Sequence, residues 1–179
     1  MAVLPILIAP HPSLKRRAEP VQEVDDEIRQ LTDDMLETMY DAPGVGLAAP
    51  QVDVAKRVIV IDCADDGEAP QPYRMINPEL LWTSQDQDTR EEGCLSLPDI
   101  YADVTRAAAC KVAYLDQRGE HHELEAEGLL AVCIQHEIDH LNGVLFVDHL
   151  SALKRNMLMR KLAKQQAGKK PNKKASVGA

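Results

Sequence analysis

Two histidines four residues apart, with a glutamate directly after the first, make Gln135-His136-Glu137-Ile138-Asp139-His140 the stretch most able to do chemistry. On an α-helix, positions i and i+4 share a face, so His136 and His140 can bind one divalent metal ion. Glu137 then stands beside the open coordination position, where it can take a proton from water. Metal-assisted hydrolysis is the chemistry that such a set supports. The plainer alternative is a buried histidine pair capping a core helix, but packing has no use for the matched glutamate.

Two imidazoles leave the site incomplete. Downstream, Asp148 and His149 offer donors, although Asn142-Gly143 is expected to end the helix before them. Upstream, Glu91-Glu92-Gly93-Cys94-Leu95-Ser96-Leu97 offers a thiol beside a glycine. A thiolate ligates zinc or ferrous iron strongly and is deprotonated by the metal itself. A downstream ligand would make the chain an endopeptidase. A closed four-ligand shell would make it a non-enzymatic binding protein with a structural metal. Cys94 alone reads as a buried cysteine; its neighbours give it weight.

These residues need elements to hold them. The metal ligands fall in a helix expected over Glu127 to Leu141, where Leu129, Val132, Cys133, His136, Glu137 and His140 form one stripe. An amphipathic helix is expected over Val24 to Tyr40, with Asp25, Asp26 and Glu27 in its first turn. Arg57 to Asp62 reads as a strand and Cys63 to Gln71 as an acidic loop. Tyr73 to Trp82 reads as a second strand region interrupted by Pro78, and Ala107 to Glu125 as a hairpin. Leu153 to Ala163 is expected to be a last, basic helix. The Lys, Pro, Asn and Ser run beyond Gly168 is expected to be disordered. Strands and helices do not alternate regularly, so an α+β fold is expected: one compact domain of mixed or antiparallel sheets around the metal-binding helix, with a C-terminal helix.

At 179 residues the chain can bury one core without disulfides. Its four cysteines form no C-x-x-C pair and read as reduced thiols. Aromatic residues make up only 3% of the chain, too few for stacking platforms on single-stranded nucleic acid. No basic leader or spanning apolar run is present, which points to the cytoplasm and to no membrane partner. The charge is divided. Residues 1–150 carry 11 Lys and Arg against 29 Asp and Glu, whereas the segment from Ser151 onward carries 9 Lys and Arg and no acid. Such a tail suits an anionic partner that the body would repel.

Three segments, Gly44-Val45-Gly46-Leu47-Ala48-Ala49-Pro50-Gln51, Glu92-Gly93-Cys94-Leu95-Ser96 and Gln135 to His140, resemble in order and spacing the signature motifs of bacterial peptide deformylases. The resemblance covers Val3 to Leu150, with residues 1–150 as the catalytic domain and 151–179 as a basic helix and tail. It implies that Cys94, His136 and His140 hold one divalent metal ion per chain, Fe2+ in the cell and Zn2+, Ni2+ or Co2+ in substituted preparations. It further implies removal of formate from the formylmethionine of nascent polypeptides. In that reading Glu137 is the general base and acid, and the Gln51 amide and the Leu95 N–H stabilise the oxyanion. Gly46 leaves room for the substrate, and its other possible service is a left-handed turn. Val45, Leu129, Val132 and Cys133 line a methionine pocket, with Arg90 and Glu92 at its rim. An extended peptide would pair along Gly44 to Gly46. Tyr101 stands where some members carry an arginine that meets the peptide. A monomer is expected, with its basic tail on ribosomal RNA.

Overall fold

A computed structural model of the chain describes residues 1–169. The expected disorder concerns residues beyond Gly168, and residues 170–179 lie outside the described ones. Helix α1 (Asp26–Asp41) opens where Asp25 Oδ1 accepts from the Ile28 N–H at 3.0 Å, and Asp26 and Glu27 occupy its first turn. Its buried stripe of Ile28, Met35, Leu36 and Met39 covers the strand pair β1 (Gly46–Ala48) and β2 (Val58–Ile61).

The main sheet continues with β3 (Tyr73–Thr83), β6 (Ala109–Leu115) and β7 (His121–Glu127), in the order β1-β2-β3-β6-β7 and antiparallel throughout. Pro78 does not divide β3. A register shift between Ile76 and Glu79 absorbs it, with Asn77 in a left-handed conformation and its side chain bonded to the Val21 backbone.

A separate hairpin of β4 (Gln87–Cys94) and β5 (Leu97–Ala107) forms the second sheet. Its inward residues on β5 recur every second position, Ile100, Ala102, Val104 and Arg106.

Helix α2 (Gly128–Leu141) lies between the sheets. Ala131, Ile134, Ile138 and Leu141 pack on the main sheet, whereas His136 and His140 face the β4–β5 side. The helix ends as expected at Asn142-Gly143. Gly143 has φ +75°, and a Cβ there would meet the Lys15 carbonyl oxygen. Arg57 and the Ala18 N–H both donate to the Leu141 carbonyl, fixing the helix end against the strand that begins at Val58. Helix α3 (Ala152–Gly168) runs further than its apolar pattern suggested and packs Leu158 and Leu162 against β5 and Phe146. Among the described residues, no helix is long and apolar enough to cross a membrane.

Candidate active site

The donor atoms of Cys94, His136 and His140 lie within 4.8 Å of one another. Cys94 Sγ is 3.3 Å from His140 Nε2. The histidines come from one face of α2 and the cysteine from the end of β4. There the ladder slips between Glu92 and Cys94, so that Cys94 pairs with Leu97 across a two-residue turn. The downstream donors join neither. Asp148 binds Lys15 at 2.9 Å, and His149 Nε2 lies 2.8 Å from Asp139. The endopeptidase alternative loses its ligand.

Behind the histidines stands a buried ion network. His136 Nδ1 donates to Glu92 Oε1 at 2.9 Å, and Arg106 donates to both Glu92 oxygens at 2.7 and 3.0 Å. Arg106 also reaches Asp139 at 2.8 Å. Glu92, expected at the pocket rim, does line the cavity, but its carboxylate turns inward. Its side chain is 5% exposed and holds the His136 ring from behind. Burial alone would raise the Glu92 carboxyl, but the bonds from His136 and Arg106 outweigh it and hold the group ionised.

Arg106 itself escaped the sequence reading. Its signal was present: it continues the alternate apolar positions of β5, and a charge in an inward phase requires a buried partner.

The same surroundings test whether a cation fits. Burial pushes His136 down, but Cys94, Glu92 and Glu137 raise it to about 10. His140 goes the other way, well below its ordinary value, through burial and the neighbouring His136 charge. Two imidazoles and one thiol whose donor atoms converge on one point suit a divalent ion with thiolate and nitrogen donors. Glu137 is raised to about 7 by burial, and its Oε2 is buried without a hydrogen-bond partner.

In front of these groups opens a cavity of about 940 Å³. Val132, Cys133, His136 and Glu137 of α2 form one wall, with Leu129 at its outer end, 42% exposed. Val45 and Gly46 of the β1 edge face them, and Arg90, exposed and paired with Asp88 at 2.6 Å, stands at the rim. Gly46 has no left-handed backbone. Space is its constraint, because a Cβ there would lie 2.5 Å from Glu137 Oε1. Gln51 is buried in the short turn Ala49–Val52. Its Oε1 accepts from the Ala48 N–H at 2.9 Å, which aims Nε2 at Ser96 Oγ (3.1 Å) and Cys94 Sγ (3.6 Å). Leu95 follows Cys94 in the β4–β5 turn and lines the same cavity. Tyr101 lies over Gly93 at the outer end of the groove, 59% exposed.

Three protein donors with an unpartnered carboxylate beside an open cavity are the arrangement of a catalytic metal site, so fold and site define a metal-dependent hydrolase. Comparison with known proteins makes this specific. The family model for polypeptide deformylase matches residues 3–156, and the chain belongs to that family, hydrolases that remove the N-formyl group from nascent polypeptides. It is 58% identical to a peptide deformylase of Phenylobacterium zucineum (strain HLK1), over 92% of this chain and 97% of that one. It is also 57% identical to one from Alkalilimnicola ehrlichii, over 92% of this chain and 91% of that one. Among solved structures, the peptide deformylase of Ehrlichia chaffeensis superposes with a TM-score of 0.89 at 40% identity, covering 93% of this chain and 98% of that one.

Proposed function

We propose that the cavity receives the formylmethionine end of a nascent chain and that Glu137 moves the proton on which hydrolysis depends. The carrying observation is the Glu137 Oε2 atom, buried and unpartnered at the cavity wall within reach of the donor cluster. Cys94, His136 and His140 would hold one divalent ion, Fe2+ in the cell, which would polarise the formyl group and draw the pKa of water towards about 7. Its charge would bring Glu137 back towards the carboxylate range, so that this residue starts as the base. Glu137 takes the proton of the attacking water as oxygen adds to the formyl carbon. The Gln51 amide and the Leu95 N–H meet the oxyanion that develops. Glu137 then delivers the proton to the methionine nitrogen, the C–N bond breaks and formate leaves with a free amine.

The methionine side chain would lie among Val45, Leu129, Val132 and Cys133, with Arg90 at the rim and the peptide backbone along β1 beside Gly46. A structure of the Ehrlichia chaffeensis relative is a complex with actinonin, and this cavity is where we would place that compound here. The enzyme would work in the cytoplasm as a monomer, and the basic face of α3 would contact ribosomal RNA.

Formate release from N-formyl-Met-Ala-Ser by anaerobically purified enzyme tests the reading. The measurement runs beside Glu137→Gln, with metal content determined on both samples. The variant should keep its metal and lose about 10²–10⁴ in rate. A fully metallated variant that retains its rate would remove Glu137 from the mechanism.

A further inference from the structure

His149 stands near the donor cluster without belonging to it. It ends the short turn Phe146–His149, in which Phe146 and Val147 are buried, while its own side chain stays 39% exposed. Its Nε2 lies 2.8 Å from Asp139 Oδ2, and a carboxylate oxygen accepts, so the ring donates. The same oxygen accepts from Arg106 Nη1 at 2.8 Å. Asp139 is thus held from two directions.

These contacts close a circuit that begins and ends on α2. His136 Nδ1 donates to Glu92 on β4, and Glu92 takes Nε and Nη2 of Arg106 on β5. Arg106 Nη1 then returns to Asp139, three residues after His136 on the same helix. Glu92 and Arg106 are each 5% exposed, whereas Asp139 is 24% exposed. Asp139 is therefore the corner that water reaches, and His149 supplies a bond at that corner.

We propose that Asp139 and His149 are positioning residues for the metal centre, acting on His136 through Arg106 and Glu92. A guanidinium carries its donors in one rigid plane. Fixing Nη1 at Asp139 consequently fixes the direction from which Nε and Nη2 meet Glu92, and Glu92 sets the His136 ring. Without the bond from His149, water competes for the Asp139 carboxylate, and the circuit loosens at its exposed end. Neither residue lines the cavity, so their effect reaches the site only through this chain of bonds.

The inference rests on the reading of Cys94, His136 and His140 as metal ligands. It also gives His149 a place that a downstream ligand would not have. Asp148 beside it is spent on Lys15 and the Leu145 N–H, whereas His149 serves the centre from outside it. The plainer role for the His149 bond is to pin the turn Phe146–His149 onto the end of α2. Such a bond would matter to thermal stability and leave metal affinity untouched.

Cobalt-loaded enzyme titrated against a chelator provides the test, with thermal unfolding followed on the same samples. His149→Phe keeps a ring and loses the donor. Its cobalt affinity should fall about 3–10-fold, less than the loss expected on removing a direct partner of the ligand. Asp139→Ala removes both bonds and should lose at least as much. His149→Gln can still donate to Asp139 and should stay near the wild-type affinity. In a Glu92→Gln background the His149→Phe loss should almost vanish, because the route to His136 is already cut. Equal losses in both backgrounds, a lower melting temperature with unchanged affinity, or a loss in His149→Gln matching that of His149→Phe would overturn the proposal. A wild type that binds no cobalt would overturn it together with the ligand reading beneath it.

Discussion

His136 and Glu92 are joined by a 2.9 Å hydrogen bond between Nδ1 and Oε1, both groups buried, although 44 residues separate them in the chain. The bond fixes the ring and leaves Nε2 as the nitrogen free to serve a metal ion. Because Arg106 clamps both Glu92 oxygens, the carboxylate cannot rotate away.

Replacing Glu92 with Gln should therefore weaken metal binding by about 10–100-fold while the fold persists, as read by chelator competition. Replacing Arg106 with Ala is harsher, because it strands a buried carboxylate. Urea unfolding should show a loss of about 3–5 kcal/mol. Equal metal affinity in the wild type and Glu92→Gln would mean that the bond does not orient the ligand.

Gly46 and Glu137 meet across the cavity, and the fit is decided by one missing atom. A Cβ at Gly46 would lie 2.5 Å from Glu137 Oε1 and 3.0 Å from its Cδ, so alanine must push the carboxylate aside. The neighbour is a side-chain end rather than backbone, and the fold should absorb the change with little loss in thermal stability. A displacement near 1 Å at the reacting group costs about 10²-fold in rate, and Gly46→Ala should show a loss of that order in kcat. A variant with wild-type kcat would show that the carboxylate has a second working position.

Much of this was legible in the sequence. The placing of His136, Glu137 and His140 on one helix above an apolar floor follows from one helical period, and Asp25 to Glu27 announced the start of α1. The β4–β5 hairpin was not legible. Gln87 to Glu92 holds no apolar residue, and it becomes a strand through tertiary pairing with β5, including a Thr89–Thr105 hydroxyl contact at 2.7 Å. The inward turn of the Glu92 carboxylate was hidden for the same reason. Nothing in an acidic run tells which carboxylate turns inward, since only the partner strand fixes the phase. Pro78 was read as a break because a register shift that accommodates it depends on Asn77 anchoring to Val21, a contact 56 residues away.

Tyr40 and Asp62 give the fold a defined pH signature. Tyr40 Oη donates to Asp62 Oδ2 at 2.6 Å, while Oδ1 accepts from the Ala64 and Gln71 N–H groups and closes the acidic loop. Burial would raise the Asp62 carboxyl, but these three bonds outweigh it and lower the pKa. Its folded pKa is depressed, so its stabilisation is present above the unfolded value of about 3.9 and is lost as pH falls through the folded one. Tyr40 is raised to about 12 by burial and by Asp62. Its contribution is present below about 10, the unfolded value, and is lost as pH rises through the folded one. Urea midpoints should show wild type and Asp62→Asn converging below pH 4, and wild type and Tyr40→Phe converging between pH 10 and 12. Parallel curves would deny the coupling.

The basic character of α3 leads to a prediction about binding that spares catalysis. Leu158 and Leu162 are buried against the β5 side, so removing the helix would uncover core residues and confuse folding with binding. The charges can be changed alone. Arg160, Lys161 and Lys164 are exposed on the outer face of α3, whereas acids outnumber bases 29 to 11 in residues 1–150. If this face contacts ribosomal RNA, replacing the three with Gln should cut ribosome co-sedimentation and flatten its dependence on salt. About three fewer phosphate contacts correspond to a salt slope shallower by roughly 2–3. Activity on formyl-Met-Ala-Ser and thermal stability should be unchanged, because the substituted side chains lie away from the cavity. An unaltered salt slope would assign the charge to solubility and leave the ribosome without a contact here.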